Sequence, residues 1–386
     1  MNRNIPCEDC AQATLDIEQI GFLVTGCNPD PTRPGRCNLT FEERPAAPAA
    51  AAATAGATVA ALPQTTAAAG APAAAGPITA TQAAAAKAII NLFETGEVLG
   101  DYGNVTLIPG DTGHLTFGRS QTTLGSGNLA LLLQQYCANL GARFGARLKP
   151  SLPRFAAIDH SLDIDHKLQN VLRATADDPV MRETQDIFFD QTYWQPAVRA
   201  ASKLGLNSPL ATAVVYDGFV HGAWATMRDR TTQSAGAPAA IGERAWITAY
   251  VATRRAWLEN NVRADLRPTV YRMDAFKRLI DQGFWALGLP LVVRGKEISQ
   301  ATLAAMPPGC YDGPHPGSRP IALQSPLARG LDVRLVQLGL SDRDVDIQAD
   351  GVFGQTSSKL VKAWQAQNGH PANGILDAAL ISQLTT

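Results

Sequence analysis

The sequence predicts an α+β protein that is mainly helical and ends in a small, separately patterned helical unit. Three observations predict this. Most of residues 81–300 carry apolar side chains at helical spacing. That pattern breaks only between Asn104 and Gly118, where two short strand-like runs flank a turn-rich insert. Residues 325–386 follow a Pro- and Gly-rich stretch and have a pattern of their own. At 386 residues the chain is also too long for one ordinary domain.

Residues 1–45 form a head that holds Cys7, Cys10, Cys27 and Cys37. Four thiols at these spacings can bind zinc, pair as two disulfides or stay free, and the sequence leaves the three states open. Residues 46–80 are almost wholly Ala, Pro, Thr and Gly. They offer no large apolar group to bury and read as a linker, with Pro63, Pro72 and Pro77 interrupting any alanine helix.

The core follows in residues 81–300. A first helix is predicted over 83–95, with Ile89, Leu92 and Phe93 on one face and Gly96 as its C-terminal cap. Strands are predicted at 105–108 and 115–117, around Pro109-Gly110-Asp111-Thr112-Gly113. Further helices are predicted over 129–140, 165–176, 181–204, 210–221, 242–261 and 273–282. Cys137 falls in the apolar run 129–140 and reads as a small buried hydrophobe. Residues 301–324 read as a second linker, and 325–386 as a compact unit.

Composition narrows the function. The net charge is −1, so no basic excess points to nucleic acid. Hydrophobic content is 46%, a figure inflated by the alanine tract. No apolar run is long enough to span a bilayer. The N-terminus lacks the apolar core of a signal peptide, so export by the general secretory route is not expected.

Two carboxyl groups suit acid/base hydrolysis of a glycosidic bond, which needs one protonated acid and one ionised base and calls for no metal or cofactor. Glu94 falls in the last turn of its helix, where the dipole and the neighbouring Phe93 both disfavour a carboxylate and so raise its pKa. Asp111 falls in a turn where the N–H groups of Thr112 and Gly113 can hold it ionised. The hydroxyl of Thr116 can orient the attacking water. Taken alone, an acid at a helix end is ordinarily solvated, and an Asp in Gly-Asp-Thr-Gly ordinarily just forms the turn. Glu97 and Asp101 stand close enough in sequence to be alternatives.

The order of motifs adds what no single one carries. Phe93-Glu94-Thr95-Gly96, Tyr102-Gly103, the run from Gly110-Asp111 to Phe117-Gly118, and Ser126-Gly127-Asn128-Leu129 together resemble the family 46 chitosanases and their lysozyme-like relatives. The spacing agrees, with 17 positions from Glu94 to Asp111 and five more to Thr116. The resemblance implies a two-lobed lysozyme-like fold and an inverting glycoside hydrolase. Glu94 would be the acid, Asp111 the base and Thr116 the water-positioning residue. Tyr102 and Asn128 would bind substrate. Asp217, in Val215-Tyr216-Asp217-Gly218-Phe219-Val220-His221-Gly222, would pair with Arg272 behind the base, with His221 in the same support. Arg254 and Arg255 are both candidates to join it.

Family chitosanases carry an aspartate, which meets the free amine of glucosamine, where this chain has Asn128. An amide suits an N-acetyl group better. His114 also stands beside the position of a family arginine. Residues 325–386 resemble the peptidoglycan-binding domain type 1, on Asp350-Gly351-Val352-Phe353-Gly354-Gln355-Thr356, Leu360-Val361-Lys362-Ala363-Trp364-Gln365 and Asn373-Gly374-Ile375-Leu376-Asp377. That resemblance implies a three-helix module that raises the enzyme's local concentration on its polymer.

Peptidoglycan is thus the expected partner, and the expected activity is muramidase-like hydrolysis of the β-1,4 glycan bonds. The alternatives are a chitosanase or chitinase, a phage-type endolysin and a non-catalytic wall-binding protein. With no signal peptide, the expected setting is an antibacterial effector made in the bacterial cytoplasm and delivered, as by type VI secretion, to a target's periplasm or wall. A secretion component would hold the head, and an immunity protein would plug the cleft.

Overall fold

The computed structural model describes residues 2–6, 22–29, 36–43, 78–108, 110, 112–119 and 121–385. Cys7, Cys10, Asp111 and nearly all of the 46–80 stretch lie outside them. In the head, β1 (Asn2–Pro6), β2 (Phe22–Pro29) and β3 (Arg36–Glu43) form an antiparallel sheet in the order β1-β3-β2. Cys27 and Cys37 are both disulfide-bonded, so of the three states the sequence allowed, these two thiols take that one.

The central region starts at α1 (Ala80–Glu94). Thr79 opens it with a capping box: its hydroxyl takes the Gln82 N–H, and the Gln82 side chain takes the Thr79 N–H. A three-stranded antiparallel sheet follows, β4 (Val105–Thr106), β5 (Thr116–Phe117) and β6 (Thr122–Thr123). Then come α2 (Asn128–Ala138), α3 (His166–Ala174) and α4 (Pro179–Phe189). A π turn (Asp190–Trp194) leads into α5 (Gln195–Lys203). One helix over 181–204 is therefore two helices joined by a wider turn. Pro196 supplies the reason: its ring presses on the carbonyl four residues back, and a π turn makes room for it.

The remaining helices are α6 (Pro209–Val220), α7 (Trp224–Ala235), α8 (Glu243–Glu259) and α9 (Tyr271–Asp281), followed by the hairpin β7 (Leu291–Val293) and β8 (Lys296–Ile298). The sequence reading missed α7, β6 and the β7–β8 hairpin. In α7 only Trp224, Met227 and Thr231 are buried, too thin a stripe to stand out among polar neighbours.

Two hydrophobic cores give the two lobes. The larger joins α1 to α5, α6, α8 and α9 around Ile89, Val214, Trp246 and Phe276. The smaller joins Leu115 and Phe117 of the β4–β5 hairpin to Leu129, Leu133 and Cys137 of α2, Leu172 of α3, and Met181 and Phe188 of α4. Among the described residues, no helix is long and apolar enough to cross a membrane.

The C-terminal unit is three-helical, with α10 (Leu331–Asp342), α11 (Gln355–Gln367) and α12 (Ala378–Thr385) around Val333, Leu340, Phe353, Val361 and Trp364. It is packed against the small lobe, and Leu338 of α10 belongs to that lobe's core. Asn170 of α3 is buried and fully satisfied by the unit: Nδ2 donates to Ser341 Oγ and Ile347 O, and Oδ1 accepts from Ala349 N. Arg334 Nε lies 2.7 Å from Asp177 Oδ2, both side chains buried. Residues 301–324, read as a linker, are packed too: Cys310 is buried with Tyr102 and Ala176, and Ile321 exchanges two backbone hydrogen bonds with Leu376.

Candidate active site

Glu94 is the last residue of α1, and the carbonyls that end a helix need partners. Three of them find one here. Thr95 donates N–H and Oγ1 to Asn91 O, Arg294 Nη1 donates to Leu92 O, and Tyr271 OH donates to Phe93 O at 2.8 Å. Arg294 stacks over the Tyr271 ring at 4.1 Å, so one cation serves the negative end of the dipole and braces the second cap. Phe93 packs edge-on against Tyr271 and Phe276. The backbone that presents Glu94 is thus fixed from two other elements, α9 and the β7–β8 turn.

The Glu94 side chain, 22% exposed, accepts from Arg272 Nη2 at Oε1 over 2.8 Å. Arg272, in the first turn of α9, also donates Nε to Asp217 Oδ1 at 2.8 Å and lies over the Phe93 ring. Asp217 is fully buried in α6. Its other oxygen faces Arg254 Nε at 3.8 Å. Arg254 in turn donates to Gly222 O and contacts His221 Nδ1 at 3.0 Å. A continuous chain therefore runs from His221 and Arg254 through Asp217 and Arg272 to Glu94. The resemblance placed the Asp217–Arg272 pair behind the base, whereas in the structure it reaches the residue read as the acid. The surroundings of Glu94 include this cation as well as the apolar groups foreseen.

Of the two arginines left open, Arg254 joins the chain, while Arg255 pairs at the surface with Asp274 and Glu259. Burial, then the charges of Arg272 and Arg254, push the His221 imidazole down to about 4.

Thr116 lies on β5 and is buried; its hydroxyl donates to His114 O at 3.0 Å. With its only donor used, it can serve a water solely as acceptor. Asp111 lies outside the described residues, but its hairpin is pinned on both sides. Gly125 N donates to Gly113 O, and Leu115 N donates to Asp163 Oδ1 at 2.9 Å. His114 Nδ1 meets Asp163 Oδ2 at 2.8 Å, and its ring stacks on His160. At the far end Gly118 takes φ +81°, and a Cβ there would fall 2.4 Å from Gln185 Oε1, the atom that accepts from Arg119 N.

Tyr102 is buried, its hydroxyl donating to Asp186 Oδ1 and accepting from Arg119 Nη1. Burial, first of its causes, pushes its phenol up to about 12. Asn128 opens α2, half-buried, and its side-chain amide has no hydrogen-bond partner among the described residues. Glu97 faces Lys296 at 3.7 Å. Asp101 lines a small pocket with Arg334 of the C-terminal unit. Sequence reasoning missed Asp163, Arg119, Tyr271 and Arg294. For the pair left open, a signal was there: Arg254 falls four residues after Tyr250 and eight after Trp246 on the buried face of α8, and Arg255 does not.

Residues 88–291 match glycosyl hydrolase family 46, and residues 329–384 match a peptidoglycan binding domain. A chitosanase of Bacillus subtilis (strain 168) is 26% identical over 230 residues, which is 56% of this chain and 83% of the relative. Among solved structures, a mutant chitosanase from Bacillus subtilis MY002 complexed with 6 GlcN is similar at a TM-score of 0.50 and 24% identity, covering 57% of this chain and 98% of that one. Chitosanase OU01, co-crystallised with substrate, is similar at 0.50 and 23%, covering 58% and 99%. These likenesses show the shared two-lobed fold.

Proposed function

Because the chain belongs to glycosyl hydrolase family 46 and carries a peptidoglycan binding domain, we propose that it hydrolyses the β-1,4 bonds of the peptidoglycan glycan strand. One observation carries this reading: the wall-binding domain is packed on the lobe that bears the catalytic hairpin, through Leu338, Asn170 and the Arg334–Asp177 pair. Asn128, an amide where chitosanases use a carboxylate, supports an acetylated sugar.

In this reading Arg272 occupies Oε1 of Glu94, so Oε2 holds the proton given to the leaving oxygen. The carboxylate that results meets the Arg272 cation as its charge appears. Water attacks the anomeric carbon from the opposite face, oriented by Thr116, and Asp111 takes its proton. The C–O bond breaks with inversion. Separation of the head from the catalytic region by the 46–80 tract supports delivery as an antibacterial effector to a target's periplasm or wall. A secretion component would hold the head, and the producer would need an immunity protein.

Chitosan is the second reading, favoured by the chitosanase relative. Digestion of peptidoglycan and of chitosan, with reduced products identified by mass spectrometry, separates the two. Reduced muramic acid ends are expected from wild type, with Glu94→Gln and Asp111→Asn slowed about 10²–10⁴-fold. Glucosamine oligomers from chitosan with peptidoglycan untouched would overturn the proposal.

A further inference from the structure

Between the small lobe and the C-terminal unit lies a pocket of about 200 Å³. Asp101 and Asn104 line it from the lobe, Arg173 from α3, and Arg334, Gln348 and Asp350 from the unit. Asp350 belongs to the signature turn of the wall-binding domain. Asp101 belongs to the connection between α1, which ends in Glu94, and the catalytic hairpin. The pocket is therefore built jointly by the two domains, and neither forms it alone.

Its charges are not all matched. Arg334 has Asp177, and donates to Ala349 O and Arg173 O besides. Arg173 has no carboxylate partner among the described residues; Nη1 reaches only the Asn170 amide oxygen, at 3.2 Å. Burial and the nearby Arg334 charge hold its guanidinium below the ordinary value. Asp350, exposed at the rim, accepts at Oδ1 from Gln337 Nε2 and Val352 N, which leaves Oδ2 open to an incoming donor. Burial pushes the Asp101 carboxyl up, which an arriving cation would offset. Next to Asp350, Gly351 sits at φ +74°, and a Cβ there would fall 2.5 Å from the Tyr311 ring, so the turn that carries Asp350 needs a glycine at this place.

A volume of about 200 Å³ is below the roughly 300–1,000 Å³ of pockets that enclose drug-sized ligands, so it takes one amino-acid end and not a disaccharide. We infer that this pocket binds the zwitterionic end of the diamino acid in a peptidoglycan peptide stem. Arg173 takes its carboxylate, and Asp350 with Asp101 takes its ammonium. The inference rests on the peptidoglycan reading and deepens it, because chitosan has no such group.

Calorimetric binding to full-length protein carrying Glu94→Gln tests it. The probes are the disaccharide tripeptide with a free diaminopimelate end, the same compound amidated at that end, and the peptide-free disaccharide. Amidation and Arg173→Gln should each weaken binding about tenfold or more, and Arg173→Lys should recover much of the loss. Equal binding of all three probes, or Arg173→Gln and Arg173→Lys both indistinguishable from the parent, would overturn the assignment. Hydrolysis of peptide-stripped glycan strands by wild type separates the two claims. Strands cut, with no stem preference in the calorimetry, leave the hydrolase reading standing and the pocket refuted; a calorimetric stem preference with neither stripped nor stem-bearing strands cut does the reverse.

Discussion

His221 caps the C-terminus of α6, with Nδ1 3.0 Å from Arg254 Nη2. Arginine only donates, so Nδ1 accepts and the ring proton sits on Nε2. Two influences compete on this imidazole. The helix C-terminus favours its charged form by about 0.3–1 kcal/mol. Burial and the two arginines oppose charging and hold its pKa at about 4. Against the unfolded value of about 6.5, that shift corresponds to about 3 kcal/mol, so burial wins. The unfolded chain binds the proton more readily, so this contribution is complete above about pH 6.5 and is lost as pH falls towards 4. Thermal unfolding at pH 7.5 and 4.5 should show the wild type losing more stability than His221→Gln. Equal losses would mean the ring is not held neutral by this site. The sequence marked Asp217, His221 and Arg272 as one support and left Arg254 against Arg255 open. What it did not show was the direction of the chain, because Glu94 and Arg272 meet only when α1 and α9 pack, 178 residues apart in sequence.

At the scale of elements, the best-read parts were those whose pattern is local. The apolar face of α1 with Gly96 closing it at φ +75°, the apolar stripe of α2 and the β4–β5 pairing all follow from neighbours in sequence, whereas the capping box of Thr79 and Gln82, which opens the helix three residues ahead of the start the pattern gives, was not read. The partners of the Leu92 and Phe93 carbonyls do not follow in this way. They are Arg294 and Tyr271, which are brought there by tertiary packing alone. The Tyr271 hydroxyl bond to Phe93 O stands one residue from the proposed acid. Tyr271→Phe removes that bond and keeps the ring that packs on Phe93 and Arg294. It should cost about 0.5–1.5 kcal/mol of stability. Because the helix end then loosens where proton transfer is aligned, kcat should fall several-fold, of the order expected for small misplacement, with KM little changed. A change confined to KM would place Tyr271 in substrate binding instead. The π turn makes the same point about legibility: Pro196 was visible, but its neighbours' helical pattern concealed that the chain absorbs it by widening and not by stopping.

For the whole molecule, the question is whether the C-terminal unit is a tethered anchor or a third part of one body. The sequence favoured a tether, since 301–324 is rich in Pro and Gly. Composition reports flexibility only where nothing packs on the chain, and here Cys310, Tyr311 and Ile321 are held by the flanking domains. Leu338 alone, buried in the small lobe's core, is worth about 1.5–3 kcal/mol. Asn170 adds three hydrogen bonds, and Arg334 neutralises a buried Asp177. Arg334→Ala would strand that carboxylate at a cost of about 3–5 kcal/mol while the domains stay docked. Undocking rehydrates Asp177, so the cost cannot exceed the docking energy, and separation of the domains becomes the observable. Wild type should melt in one calorimetric transition, and Arg334→Ala in two, the lower belonging to one domain alone. Two transitions in wild type, unmoved by Arg334→Ala, would restore the tether. One transition in both proteins with an unchanged midpoint would show that Asp177 is solvated in the docked state and that apolar contact alone joins the domains.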